Sequence, residues 1–199
     1  MEENIIQSNV DNLELYSSKS AFTLSMKIDD FESDKEEKKF ITCVERLVRS
    51  SVEYKYWKQY IIEVLGMNHC VLTHEVSDEC TIEVHHHVPS LFTVVKGVIN
   101  EQINKNNSFT SFDISSMVME LHFTNQIGYV TLLKSLHEKF HNGYLDIPMK
   151  FINGNYDSFI QRFGSFIDGD DMSTIQSRLN ITESNCHWLK NTYIGVDSA

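Results

Sequence analysis

Two stretches of the sequence decide the fold: IEVHHH at residues 82–87 and VTLLKSLHEKFHNG at residues 130–143. Together they hold five of the nine histidines. The first stretch predicts a strand that ends in a histidine cluster, because its leading residues have strand-forming side chains. The second predicts a strand followed by a short helix, on which His137 and His141 stand four residues apart.

That spacing has a chemical meaning. Residues i and i+4 of a helix lie one turn apart on the same face, so two imidazoles placed in this way can bind one divalent metal. A third ligand must come from elsewhere, and the histidines at 85–87 are the obvious donors. Such a pair of histidines on an amphipathic helix is usually accidental, and a run of histidines can be a purification tag. This run is internal, and it is the order of strand, histidines, strand and helix that favours a metal site.

The same order resembles the bacteriophage HNH endonucleases, which are built on a ββα-metal motif, and the resemblance covers about residues 45–165. In that family the first strand supplies a metal ligand followed by a general-base histidine, and the helix supplies two further ligands. The resemblance implies that His85, His137 and His141 hold a divalent metal (Mg²⁺, Mn²⁺, Ni²⁺ or Zn²⁺) and that His86 is the catalytic base. It implies an α+β fold: a mostly helical single domain around the ββα-metal motif, with a helical insertion.

Further residues around this motif could support the site, and at two points the chain departs from the HNH pattern. His87 can replace the base if the strand register differs by one, and Glu83 either orients a ligand from its own strand face or faces solvent. The asparagine of the HNH motif falls on Gly128 here, although Asn125 lies nearby. Residues 88–124 also make a longer connection than the compact motif has, which predicts two inserted helices.

Composition argues against indiscriminate DNA binding. The chain has 17 basic and 28 acidic residues, a net charge of −11, whereas phosphate neutralisation supplies most of such affinity. The region 35–58 is locally basic. Its candidate phosphate contacts are Arg46, Arg49, Lys55 and Lys58. The alternative is that these side chains belong to an ordinary solvated helix surface. The four cysteines form no Cys-x-x-Cys pair, which favours free thiols over a metal knuckle.

Three regions are expected along the chain. Residues 1–33 form an N-terminal extension, and residues 34–166 form the HNH-like domain. Within that domain, 34–66 are helical and 70–143 carry the motif. Residues 167–199 form a C-terminal tail, with Trp188 and Tyr193 pinning it to the body.

Periodicity predicts the individual elements. Helices are expected after Ser33 and at 53–65, 92–103, 112–123, 156–166 and 172–179. Further strands are expected at 22–28 and 144–151, with a hairpin of 70–72 and 80–84.

The resemblance predicts a metal-dependent endonuclease that hydrolyses DNA phosphodiester bonds, with DNA and a possible protein as partners. No apolar run reaches membrane-spanning length, so we expect no membrane partner and a cytoplasmic location, in the host if the gene belongs to a phage. Two alternatives stay open. One is a weakly active or inactive HNH-derived phage protein with a binding, structural or host-takeover role. The other is an acidic interaction protein with incidental histidines.

Overall fold

The structure is a computed structural model that describes residues 30–75 and 81–186. Within these residues there are seven α-helices and two strands, numbered here in chain order. The helices are α1 (Asp34–Ser50), α2 (Val52–Gln59), α3 (Leu91–Asn104), α4 (Ser111–Phe123), α5 (Lys134–His141), α6 (Tyr156–Phe163) and α7 (Gly169–Leu179). The strands are β1 (Ile82–His86) and β2 (Tyr129–Leu133). A π-helical turn, Tyr60–Val64, continues α2, and 3-10 turns cover Met149–Phe151 and Gly164–Phe166.

The first helix is fixed by its cap and by an apolar stripe. The Ser33 side chain accepts a hydrogen bond from the N–H of Glu36, which satisfies one of the free donors of the first turn. Phe40, Val44 and Val48 recur on one face and are buried. This stripe packs against α3 and α4.

α3 and α4 form the middle of the core. Each begins at a side-chain cap: Ser90 accepts from the N–H of Thr93, and Thr110 and Asp113 cap each other's backbone N–H groups. Both helices bury aliphatic side chains that belong to the same core cluster as those of α1. They are Val94, Val98, Ile99, Ile114 and Val118.

The two strands pair antiparallel, although the two core helices separate them in sequence. The register places Ile82 opposite Leu133 and His86 opposite Tyr129. α5 begins immediately after β2, so its first turn lies beside the paired strands. A smaller apolar cluster lies under this unit, formed largely by Val130, Leu132, Leu136, Phe140 and Ile147.

These elements confirm the α+β class, mostly helical with a small antiparallel sheet. Two helices lie between the strands, where the sequence predicted an insertion. The hairpin prediction was wrong, because residues 71–73 form a turn and β1 pairs with β2. The strand prediction at 144–151 was also wrong, since this segment is irregular and ends in a 3-10 turn. The predicted strand at 22–28, and Trp188 and Tyr193, lie outside the described residues.

A buried carboxylate ties α3 to α6. Both oxygens of Glu101 accept hydrogen bonds from the Arg162 guanidinium at 3.2 Å, and Lys105 lies 3.1 Å away. Burial alone would raise the pKa of Glu101, but the hydrogen bonds from Arg162 and Lys105 outweigh it and hold that pKa below its usual range.

We expect Glu101→Gln to lower the free energy of unfolding at pH 7 by about 1–2 kcal/mol, because charged hydrogen bonds are lost while Arg162 stays half exposed to water. A carboxyl whose pKa is depressed in the folded state stabilises the fold above its unfolded pKa of about 4.3, and that contribution fades as the pH falls through the folded value. Urea unfolding at pH 7 and pH 3.5 should therefore show the variant's deficit shrinking in acid. Glu120→Gln, at an exposed position of α4, is the control; a deficit for Glu101→Gln that does not shrink in acid would contradict this role.

No helix in the described ranges is both long enough and apolar enough to cross a membrane.

Candidate metal centre

Three histidines from β1 and α5 direct ring nitrogens at one another. His137 Nε2 lies 2.8 Å from His85 Nδ1 and 2.8 Å from His141 Nε2. One nitrogen of each ring lies within 4.8 Å of the other two. Nitrogens this close can all bind one ion, and the structure thus brings together the three ligands expected from the sequence.

The local structure explains this convergence. Side chains alternate across a strand, so His85 and His86 leave β1 on opposite faces. His85 points towards α5. This helix begins where β2, the partner strand of β1, ends. His137 and His141 lie one helical turn apart and face the same side.

A carboxylate orients the central histidine of the three. Glu83 Oε2 lies 2.5 Å from His137 Nδ1, and Glu83 stands two residues before His85 on the same strand face. Because a carboxylate only accepts, Nδ1 of His137 carries the proton of this bond and Nε2 presents its lone pair to the other two rings. Metal-bound histidines commonly have such a carboxylate partner.

The inner wall of the site is buried and aromatic. The Phe140 ring packs edge-on against both His85 and His87, with centroids 4.8 and 5.1 Å away. His85 Nε2 and both ring nitrogens of His87 are buried without a hydrogen-bond partner among the described residues. The outer wall is open, because His141 is exposed.

Burial keeps the imidazoles of His85, His87 and His141 neutral. It lowers the pKa of His85 to about 2, with a further contribution from His137, and that of His87 to about 3. Burial and His137 also lower the pKa of His141. At neutral pH each of these three rings therefore keeps one nitrogen lone pair.

His86 belongs to a second cluster on the opposite face of β1. Its Nε2 lies 2.9 Å from His122 Nε2, and His122 Nδ1 donates to the carbonyl of Val118 at 2.7 Å. His86 Nε2 is therefore the donor of the bond to His122. The His86 ring stacks on Trp57 and Tyr54, and burial holds its pKa well below the usual value.

An aromatic pocket of about 500 Å³ opens beside this second cluster. It combines residues from α2, the π-helical turn, the end of α4 and the start of β2. It is lined by Tyr56, Trp57, Tyr60, Ile61, Leu65, His122, Phe123, Asn125 and Tyr129.

Comparison with known families bears on the functions expected from the sequence. A family model described as bacteriophage G278-like virion protein matches residues 2–193. The chain belongs to the bacteriophage G278-like virion proteins. Searches of curated proteins and of solved structures found no match. Membership of this family supports the phage origin that the resemblance implied, and nothing in it indicates an HNH endonuclease.

The prediction of a metal-dependent DNA endonuclease was therefore wrong. A family of virion proteins points to a structural role, which fits the alternative of a phage protein with a binding or structural function. Nothing in the comparisons supports hydrolase activity or DNA binding. The order of strand, strand and helix is present, but such an order does not by itself carry a function.

The environment of His86 differs from that expected of a base. The side chain is only 4% exposed and is packed between aromatic rings, so it is not placed to activate a water molecule at the three-histidine site. His87, expected as its substitute, is fully buried on the other face. In this virion protein both side chains fill the interior around β1.

Gly128 has a steric role where an asparagine was expected. A Cβ at this position would lie 2.3 Å from the carbonyl oxygen of His87 and 2.7 Å from that of Val88, so glycine is required for the backbones to approach. Asn125 is exposed in the turn after α4, with a φ of 56°, and lines the aromatic pocket.

The four basic candidates are spread over α1 and α2. Arg49 lies 3.8 Å from Glu45, one turn earlier, and Lys58 lies over the Tyr54 ring. Arg46 and Lys55 are exposed.

Sequence reasoning did not find the aromatic pocket. Val64 and Leu65 lie at the end of the helix that was expected at 53–65, and they are 68% and 46% exposed. The π-helical turn adds a residue per turn and rotates them away from the core. A usable signal was present in the i, i+4 spacing of Tyr56 and Tyr60, which is typical of one helix face.

Proposed function

We propose that this protein is a structural component of the phage particle and binds another virion protein through the aromatic pocket. Membership of a virion protein family supports a place in the particle. One observation about the surface carries the rest. Of the eight large hydrophobic side chains that are exposed in the described residues, four line this pocket: Tyr56, Tyr60, Leu65 and Phe123.

Exposed aromatic side chains are rarely gathered around one cavity on a protein surface that faces only water. Single exposed hydrophobic residues are normal, whereas contiguous apolar patches mark interaction sites. Tyrosine and tryptophan are enriched in the centres of protein interfaces, because they bury a large apolar area and keep a polar end for hydrogen bonding. The π-helical turn supports the same conclusion, since such irregular turns occur frequently at functional sites.

The partner that fits is a protein segment with an apolar side chain. The pocket is closed below by Trp57 and Ile61, both buried, which offer shape rather than charge. An acidic protein with a net charge of −11 repels a nucleic-acid backbone. A protein ligand is therefore favoured over bases stacked on the aromatic rings.

Incorporation of this chain into particles tests the proposal. In phage that carry Tyr56→Ser and Tyr60→Ser together, we expect the amount per purified particle to fall at least about tenfold, because loss of aromatic anchors costs 2 kcal/mol or more at interfaces. Quantitative mass spectrometry against the major capsid protein measures the ratio. Urea unfolding of the purified variant should stay close to wild type, because both side chains are more than half exposed.

Tyr144→Ser is the matched control, since Tyr144 is an exposed tyrosine that does not line the pocket. It should leave incorporation unchanged. Normal incorporation of the double variant would contradict binding through the pocket. Absence of the wild-type chain from purified particles would contradict a structural role altogether.

A further inference from the structure

We propose that His85, His137 and His141 form a structural site for one zinc-class divalent metal ion, which staples α5 to β1. This site lies apart from the aromatic pocket and does not depend on the partner proposed for it. Its three ligands come from two elements, with His85 and His137 separated by 52 residues in sequence. An ion bound here would therefore cross-link distant parts of the chain.

The donor set selects the class of metal. Three imidazole nitrogens suit Zn²⁺, Ni²⁺, Cu²⁺ or Fe²⁺, whereas Mg²⁺ and Ca²⁺ require oxygen ligands. The Glu83 carboxylate is engaged with His137 Nδ1 and acts behind the ligand. Magnesium is thus excluded from this site by its chemistry, and zinc is the abundant ion that fits best.

Accounting for protons also favours an ion. Because His137 donates its Nδ1–H to Glu83, its Nε2 has a single lone pair. Both His85 Nδ1 and His141 Nε2 nevertheless approach that atom at 2.8 Å. One lone pair would have to serve two donors. A metal instead accepts one lone pair from each ring, so every contact becomes favourable.

The two close nitrogen pairs need only a small adjustment, and the third pair already lies within 4.8 Å. Zinc–nitrogen bonds of about 2.0–2.1 Å in a tetrahedron place the nitrogens about 3.3 Å apart, so the two close pairs need to separate by about 0.5 Å. Rotation of the exposed His141 side chain opens one of them without moving the backbone. The rigid side of the site, at His85 and Phe140, can stay in place.

The fourth coordination position faces outwards. His85 is buried and His137 is partly buried, whereas His141 lies at the surface. A water molecule can complete the tetrahedron from solvent. The position is also open to a donor from a neighbouring protein in the particle.

Metal binding by the full-length chain, freed of any affinity tag and stripped with a chelator, tests the site. Isothermal titration with Zn²⁺ should give one site per chain, and Mg²⁺ should give none. At a free Zn²⁺ concentration 100 times the Kd, the thermal midpoint should rise by about 5–10 °C. Substitution with Co²⁺ should produce the intense visible absorption of four-coordinate cobalt.

Three variants separate a ligand effect from a folding effect. His141→Ala removes an exposed ligand and should weaken zinc binding at least about 100-fold while the metal-free protein keeps its stability. Glu83→Gln should weaken zinc binding by about 10–100-fold, as expected of a residue that orients a ligand. His74→Asn, at an exposed histidine outside the site, should bind zinc as wild type does. Equal zinc affinity of wild type and His141→Ala, or no zinc binding by wild type, would overturn the proposal.

Discussion

Replacing Gly128 by asparagine should lower the free energy of unfolding by roughly 3 kcal/mol or more, at the upper end of the cost of overpacking. The obstacle is backbone: the new Cβ would lie 2.3 Å from the carbonyl oxygen of His87. The backbone at His87 is held against Gly128 by a hydrogen bond of 2.9 Å from the His87 N–H to the Gly128 carbonyl. The end of β1 and the start of β2 would have to separate.

Urea unfolding of Gly128→Asn beside Gly169→Ala measures this effect. A Cβ at Gly169 would meet nothing within 4 Å, and Gly169 is the first residue of α7, so alanine should be neutral or stabilise by about 0.5 kcal/mol. Asparagine is the residue that the endonuclease resemblance expects at position 128. Retention of wild-type stability by Gly128→Asn would show that the close approach of the two strands has been misjudged.

Truncating Phe159 to alanine should cost about 3–5 kcal/mol, the range found for large aromatic side chains in a core. Phe159 is fully buried and stacks on Phe163 with ring centroids 4.7 Å apart. Gly97 of α3 lets the ring approach closely, since a Cβ there would lie 3.3 Å from Phe159 Cζ. The cavity left by the ring would be walled by two packed helices and could collapse only in part.

The matched control is Phe112→Ala, because Phe112 lies in the first turn of α4 and is 44% exposed. Its effect should stay within about 0.5 kcal/mol. Chemical denaturation of both variants with equal m-values would attribute the difference to the native state. A loss below 1 kcal/mol for Phe159→Ala would mean that α6 is not a part of the main core.

Local patterns predicted much of the helical framework. The spacing of Phe40, Val44 and Val48 needs no knowledge of the rest of the chain to indicate a buried helix face. The segment 144–151 shows the limit, because Leu145 and Ile147 are buried at alternate positions as in a strand. Whether such a segment pairs depends on a free neighbouring edge, which no local pattern contains.

The candidate site was predictable to the same extent. The i, i+4 spacing placed His137 and His141 together, but the pairing of β1 with β2 came from a resemblance rather than from any local signal. The aromatic pocket was not predicted from the sequence, because its walls come from four separate elements. Function was the least predictable, since a three-histidine geometry can serve either a catalyst or a structural protein.

The position of α3 and α4 between the two strands has a consequence for how the sheet can form. Joining β1 to β2 through an unstructured chain would require closing a long loop, whose entropic cost grows with the logarithm of its length. Two helices that pack against each other replace most of that loop by a folded spacer. The strands are then held near each other by a local helical hairpin, so the sheet and its histidines depend on the helices that separate them in sequence.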